Sequence, residues 1–171
     1  MGWKYQIQNA FAANFNVTFI KTLRVSNNNK FDFGLNTQAN AGTIFTNLSY
    51  GFYSRFGFKK LQKISNSIGF NSNLNNSTTE FVNESESFFY VNPSLRAVLY
   101  DATLQGSFLN TSSLITKELN PFVLTVELGF RYIKNRFNFG YSINYYSNKS
   151  KGLRTTEINR YGTITLGYLF I

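Results

Sequence analysis

A period of two in side-chain character runs through most of this chain, and it restricts the possible folds more than any other feature. Between residues 11 and 25 the odd positions carry Phe11, Ala13, Phe15, Val17, Phe19, Lys21, Leu23 and Val25. The even positions carry Ala12, Asn14, Asn16, Thr18, Ile20, Thr22 and Arg24. Successive side chains on a strand point to opposite faces, so this is a strand with one greasy and one mostly polar face. The pattern recurs over residues 122–132, 137–145 and 163–170. It is less clean over 44–56 and 89–99, and weakest over 31–39. Together these segments predict an all-β, antiparallel chain of about seven strands, several longer than the usual five or six residues.

A soluble sandwich and a transmembrane β-barrel both alternate in this way, with the apolar face turned to a core in one and to lipid in the other. Composition separates them. Aromatic residues make up 18% of the chain, with 19 Phe and 11 Tyr, and charged residues only 15%. The greasy face is dominated by aromatic rings where a compact core would mix Leu, Val and Ile. The opposite face carries amides, hydroxyls and glycines rather than Lys and Glu. Lipid outside and a polar lumen inside require that division, so the expected architecture is a transmembrane barrel.

Chemistry is sparse. The chain has no Cys and no His, which removes thiolate ligands, imidazole ligands and every Ser/His or Cys/His nucleophile pair. Neither a phosphate-binding glycine loop nor a nucleophile elbow is present. The net charge of +9 suggests nucleic acid, but the cations form no single stripe. They gather at segment ends, at Lys59, Lys60 and Lys63 and again at Lys149, Lys151, Arg154 and Arg160. That placement suits solvated loops or anionic head groups, and no nucleic-acid partner is expected.

Turn signals order the strands. Lys134-Asn135 reads as a tight hairpin connection and residues 26–30 as a short polar link. With the last strand descending to the periplasm, both lie on the periplasmic side, and the longer polar segments 107–120 and 148–158 lie outside. The long polar loop 58–87 breaks this asymmetry: strict counting puts it in the periplasm, unless a strand has been missed. Its acidic residues Glu80, Glu84 and Glu86 read most simply as solvation, and with Asp32 and Asp101 they match no calcium-loop spacing. Glu127 and Arg131 lie four apart on one strand, hence on one lumen face, with Arg96 on the lumen face of the preceding strand. They could underlie a substrate site or simply fill the barrel interior as a satisfied charge cluster, which is the commoner use.

Five stretches, "GWKYQIQN" from Gly2, "DFGLNTQANAGTIFTNLSYGFYSRFG" from Asp32, "NPSLRAVLYDATLQGSFLN" from Asn92, "PFVLTVELGFRY" from Pro121 and "YGTITLGYLF" from Tyr161, resemble in order the C-terminal half of the LpxR-type outer-membrane lipid A 3'-O-deacylases. The resemblance implies a larger, twelve-stranded barrel in the bacterial outer membrane. It implies hydrolysis of the 3' ester-linked acyl chains of lipopolysaccharide, with calcium as the cofactor of the complete protein. In the family the Gly-Trp…Gln…Asn stretch follows the catalytic histidine and the Asn and Asp of the calcium site, and none of those positions exists here. Where relatives carry an acidic residue after the motif's Asn, this chain has Ala10.

The expectation is therefore a single barrel portion, residues 1–171, lacking N-terminal strands and inactive alone. Trp3, Gln6, Asn9 and Arg96 are its candidate substrate contacts, and it has no catalytic or metal residue of its own. For Trp3 an interfacial anchor, and for Gln6 and Asn9 turn or ladder-end hydrogen bonds, are the plain alternatives. An open sheet in hydrocarbon leaves unpaired backbone groups, so closure is expected to need further strands or a partner chain. No secretory leader is legible before Gly2. The alternative function is a non-enzymatic outer-membrane barrel, or a subunit of an outer-membrane complex.

Overall fold

The computed structural model describes residues 12–64, 67, 85–109, 116–152 and 159–168. Seven strands form one antiparallel sheet in sequential order: β1 (Asn14–Val25), β2 (Phe31–Gly42), β3 (Phe45–Gly57), β4 (Ser85–Asp101), β5 (Phe122–Lys134), β6 (Phe137–Tyr146) and β7 (Asn159–Tyr168). A four-residue helix, α1 (Ala102–Gln105), follows β4 and is capped by the Asp101 side chain, which accepts the Thr103 N–H. Strands of 10 to 17 residues meet or exceed the roughly 9–11 tilted residues needed to cross a bilayer.

The sheet is inside-out relative to a soluble protein. Its convex face presents large apolar side chains, with Phe15, Leu99 and Leu166 70%, 75% and 79% exposed. The concave face buries Arg55, Asn47, Ser49, Ser142 and Asn138. A continuous apolar patch of this extent is not sustained in water, whereas it is what the hydrocarbon side of a barrel needs. The concave face does hold one small apolar cluster, Phe88, Tyr90 and Ile133 with Leu61 against it, near one end.

The ladders carry two bulges, with Leu23 of β1 and Leu99 of β4 as the extra residues. Irregularities fall between Thr22 and Arg24 in the β1–β2 ladder and between Thr46 and Asn47 in the β3–β4 ladder. Each shifts the parity of one strand by a residue. Pro93 sits inside β4, where a missing N–H would leave a gap. It lies where the β3–β4 ladder passes from Gly51↔Ser94 to Ser54↔Val91 without pairing the residues between.

The hairpin between β5 and β6 closes as Lys134↔Phe137. Its two turn residues are Asn135 and Arg136, one place later than the sequence reading. Asn135 takes a φ of 52°, the left-handed backbone that tight hairpins demand and Asn tolerates. β4 begins at Ser85, three residues inside the segment read as loop. Because β3 and β4 are directly paired and antiparallel, the 58–84 connection leaves and returns at the same end of the sheet. No strand stands between them in the ladder. That end also carries the 26–30 and 135–136 turns, whereas the two-residue 43–44 turn, α1 and the connections to β5 and β7 occupy the other. The outer edges of β1 and β7 have no ladder partner among the described residues. The observed sheet is thus part of a barrel wall.

Candidate functional site

Along the concave face, chemistry is arranged in three levels. At the end that carries the 26–30 and 135–136 turns, Asp32 on β2 faces Arg55 on β3 in the ladder, and Glu86 approaches from β4. The Arg55 guanidinium is fully buried. Its Nε donates to Asp32 Oδ1 at 2.9 Å, its Nη2 donates to Asp32 Oδ2, and its Nη1 reaches Glu86 Oε1 at 3.3 Å. Nη2 also donates to the Gln62 carbonyl at 2.7 Å. Glu86 in turn accepts the Gln62 N–H and the Ser67 hydroxyl, both at 2.9 Å. The Phe88 ring lies 5.2 Å from the guanidinium carbon. The chain leaving β3 is thereby folded back over the end of the lumen, with Leu61 against the apolar cluster and Ile64 buried.

This overturns the solvation reading for Glu86: the residue belongs to a strand, is 3% exposed, and is ion-paired. A buried carboxylate is tolerated only with such partners. Glu80 and Glu84 lie outside the described residues.

At mid-height a polar cleft of about 400 Å³ opens on the concave face. Tyr90 donates to Glu127 Oε1 at 2.6 Å, and the Arg131 guanidinium stands 5.9 Å from the Tyr90 ring centre. Among the described residues no ion pair joins Glu127 to Arg131. Tyr90 mediates between them, so the predicted cluster exists with an aromatic linker that sequence spacing did not disclose. Glycines make this packing possible. Tyr90 lies across Gly129 and the Arg131 chain across Gly140, each opposite in register.

Arg96 lines the upper part of this cleft and also a second, smaller cavity of about 150 Å³ beneath Leu104 of α1. Its Nε donates to Ser49 Oγ at 3.2 Å, and the side chain is half-buried. Its neighbours are short hydroxyls and amides, with Ser94 and Thr125 bonded to each other at 2.6 Å. Such a wall can hold a polar or anionic group, but it has no nucleophile–base pair. Trp3, Gln6 and Asn9, the other predicted contacts, lie outside the described residues. At the far end the loops rise beyond the sheet: Leu119 bridges Ser150, and Lys151 Nζ meets Glu118 at 2.5 Å.

The described residues do not fit calcium. Asp32 and Glu86 are held by Arg55, Asp101 caps α1, Glu118 pairs with Lys151 and Glu127 accepts from Tyr90. Among these residues no three carboxylates gather, whereas calcium takes six to eight oxygens. Arg55 is the element sequence reasoning missed. The signal lies in the β2–β3 register, which brings Asp32 opposite Arg55 and which the period-two pattern alone does not fix.

Comparison with known proteins agrees with this geometry. The profile of the family described as "Outer membrane protein LpxR" matches residues 1–170. Among solved structures, LpxR from Salmonella typhimurium superposes with a TM-score of 0.67 at 21% identity, covering 98% of this chain and 55% of that one. The chain thus spans about half the length of that structure, and at this identity the likeness concerns fold. No curated protein matches. With the family profile covering nearly the whole chain, an inside-out antiparallel sheet, and a polar concave wall, the chain belongs to the LpxR family of outer membrane proteins.

Proposed function

We propose that this chain forms the C-terminal part of the wall of a lipid A deacylase barrel, whose substrate is the 3' ester-linked acyl chain of lipopolysaccharide. The family match over residues 1–170 carries this reading. In it the chain's own residues bind and orient rather than react. The convex aromatic face holds the barrel in lipid, and Arg96, with the hydroxyl wall around it, offers a cationic contact to a phosphate or sugar. Trp3, Gln6 and Asn9 serve as further substrate contacts from the segment before β1. The general base and the calcium ligands of the complete family member belong to strands other than these. Calcium, when bound there, supplies Lewis-acid polarisation of an ester carbonyl.

The test joins the part of the Salmonella barrel that this chain does not match to residues 1–171. Each is produced in a Gram-negative host and its lipid A is read by mass spectrometry. The joined barrel is expected to remove 3' acyl chains, and the 171-residue chain alone to remove none. A joined barrel that folds but leaves lipid A intact would overturn the reading.

Two observations favour a second reading, a non-enzymatic barrel or complex subunit: the chain contains no His, and Ala10 stands where the family resemblance implies an acid. An intact lipid A profile from the folded joined barrel would favour it.

A further inference from the structure

Six cations occupy one rim of the sheet, at the end that carries the 26–30 and 135–136 turns. They are Lys30 before β2, Lys59, Lys60 and Lys63 just beyond β3, Lys134 closing β5 and Arg136 in the following turn, and all six are exposed. Backbone contacts weld them into one surface. Gly57 N–H donates to the Lys30 carbonyl at 2.7 Å, Leu61 N–H to Asn29 at 2.7 Å, and Phe58 N–H to Ser87 at 3.0 Å. Ser85 pairs with Lys134.

The described carboxylates at this end, Asp32 and Glu86, are turned away from the rim. They are only 4% and 3% exposed, both committed to Arg55. Among the described residues, the exposed charge at this end therefore has one sign. Glu80 and Glu84 follow in the same connection, outside the described residues; counting them leaves six cations against two acids.

Immediately above the rim, on the lipid face, lies an aromatic cluster. The Phe58 ring is 5.5 Å from Phe89 and 6.3 Å from Phe130, Phe89 is 5.2 Å from Phe130, and Phe31 is 4.9 Å from Phe56. Rings bordered by flexible ammonium groups match the two zones of a bilayer surface. Apolar bodies sit at the acyl boundary while cations reach the phosphates.

We propose that this rim is a docking surface for anionic phospholipid of the phosphatidylglycerol class, in the leaflet met by this end. With the last strand descending to the periplasm, as the sequence reading has it, that end lies on the periplasmic side, so the lipid is not lipopolysaccharide. The site is separate from the cleft around Arg96.

The joined barrel described above, reconstituted in nanodiscs of equal phosphatidylcholine and phosphatidylglycerol, tests this. Lipids retained after mild delipidation are counted by mass spectrometry. Phosphatidylglycerol is expected to be enriched several-fold over phosphatidylcholine, and the enrichment to fall with added salt, which screens exposed charge. The combined Lys59→Gln, Lys60→Gln, Lys63→Gln variant should return to the bulk ratio, while Lys149→Gln, Lys151→Gln at the opposite end should keep most of the enrichment. Circular dichroism confirms that each variant retains its sheet. If the triple variant fails to fold, Lys30→Gln and Lys134→Gln are each expected to lose part of the enrichment. A bulk lipid ratio in the unmodified barrel, enrichment indifferent to salt, or loss confined to the Lys149/Lys151 variant would overturn the proposal.

Discussion

Arg55 and Asp32 face each other across the β2–β3 ladder, and the guanidinium reaches both carboxylate oxygens in a setting where neither side chain is exposed to solvent. The second carboxylate, Glu86, completes the charge set and ties the returning chain at Gln62 and Ser67 to the sheet end. A buried cation between two acids is indispensable once the acids are there, whatever the triad's net worth.

Arg55→Ala therefore leaves two buried carboxylates without their counter-charge and should cost about 3–5 kcal/mol. Urea unfolding of the joined barrel in detergent, followed by circular dichroism, measures it. Arg55→Lys keeps the charge but not the planar fork, so it should recover only part of the loss. A cost below about 1 kcal/mol for the alanine variant would show the clamp to be unimportant, since that is the range of an exposed pair.

The glycine positions supply a graded test of lumen packing. A Cβ at Gly129 would stand 2.4 Å from the Tyr90 ring, whereas one at Gly167 meets nothing nearer than 3.6 Å. Gly129→Ala must displace a ring that is also bonded to Glu127 and should cost about 1–3 kcal/mol. Gly167→Ala should fall within about 0.5 kcal/mol of the parent, like other substitutions without a specific packing conflict. Equal effects in the same urea assay would contradict the idea that Tyr90 needs the glycine opposite.

The strands were legible because period-two patterning is local: Phe122 to Tyr132 announces its two faces without knowledge of any neighbour, and the observed β5 differs only at its C-terminal end. Inward aromatics blurred β3 and β4, since Tyr53, Phe88 and Tyr90 are buried on the face the pattern reads as polar, and the bulge at Leu99 changes parity at the end of β4. The Arg55 clamp was not legible. Asp32 and Arg55 are 23 residues apart and meet only through register, and Glu86 follows a long polar stretch whose composition suggests solvent. Arg96, Glu127 and Arg131 were placed on the lumen face correctly, but the tyrosine between the last two was seen only as part of a less regular strand.

Arg96 separates stability from binding. Its described contact is a single hydrogen bond to Ser49, and removing one such bond from a half-buried group costs about 1 kcal/mol or less. Arg96→Met, which keeps much of the side chain's bulk, should thus unfold near the parent midpoint. If Arg96 meets a lipid A phosphate, the same variant should bind lipopolysaccharide about tenfold more weakly, the equivalent of about 1.4 kcal/mol. Isothermal titration of both proteins with lipopolysaccharide micelles measures the ratio. Unchanged affinity with unchanged folding would remove Arg96 from the substrate contacts.

Leu128 tests which face meets lipid. It lies midway along β5 on the convex side, between Leu124 and Tyr132 in the apolar row, while its neighbours Glu127 and Gly129 face inward. A charge there would be held in hydrocarbon. Leu128→Arg should lower stability in lipid vesicles by about 2–4 kcal/mol, the cost of Arg at the midplane of a barrel's lipid face. Phe122→Arg, at the strand's beginning, should cost only about 0–1 kcal/mol, because the chain end lies nearer the interface where the side chain can reach water. Urea titration in vesicles gives both values. Should Leu128→Arg prove as mild as Phe122→Arg, the convex face would not be the one that hydrocarbon covers.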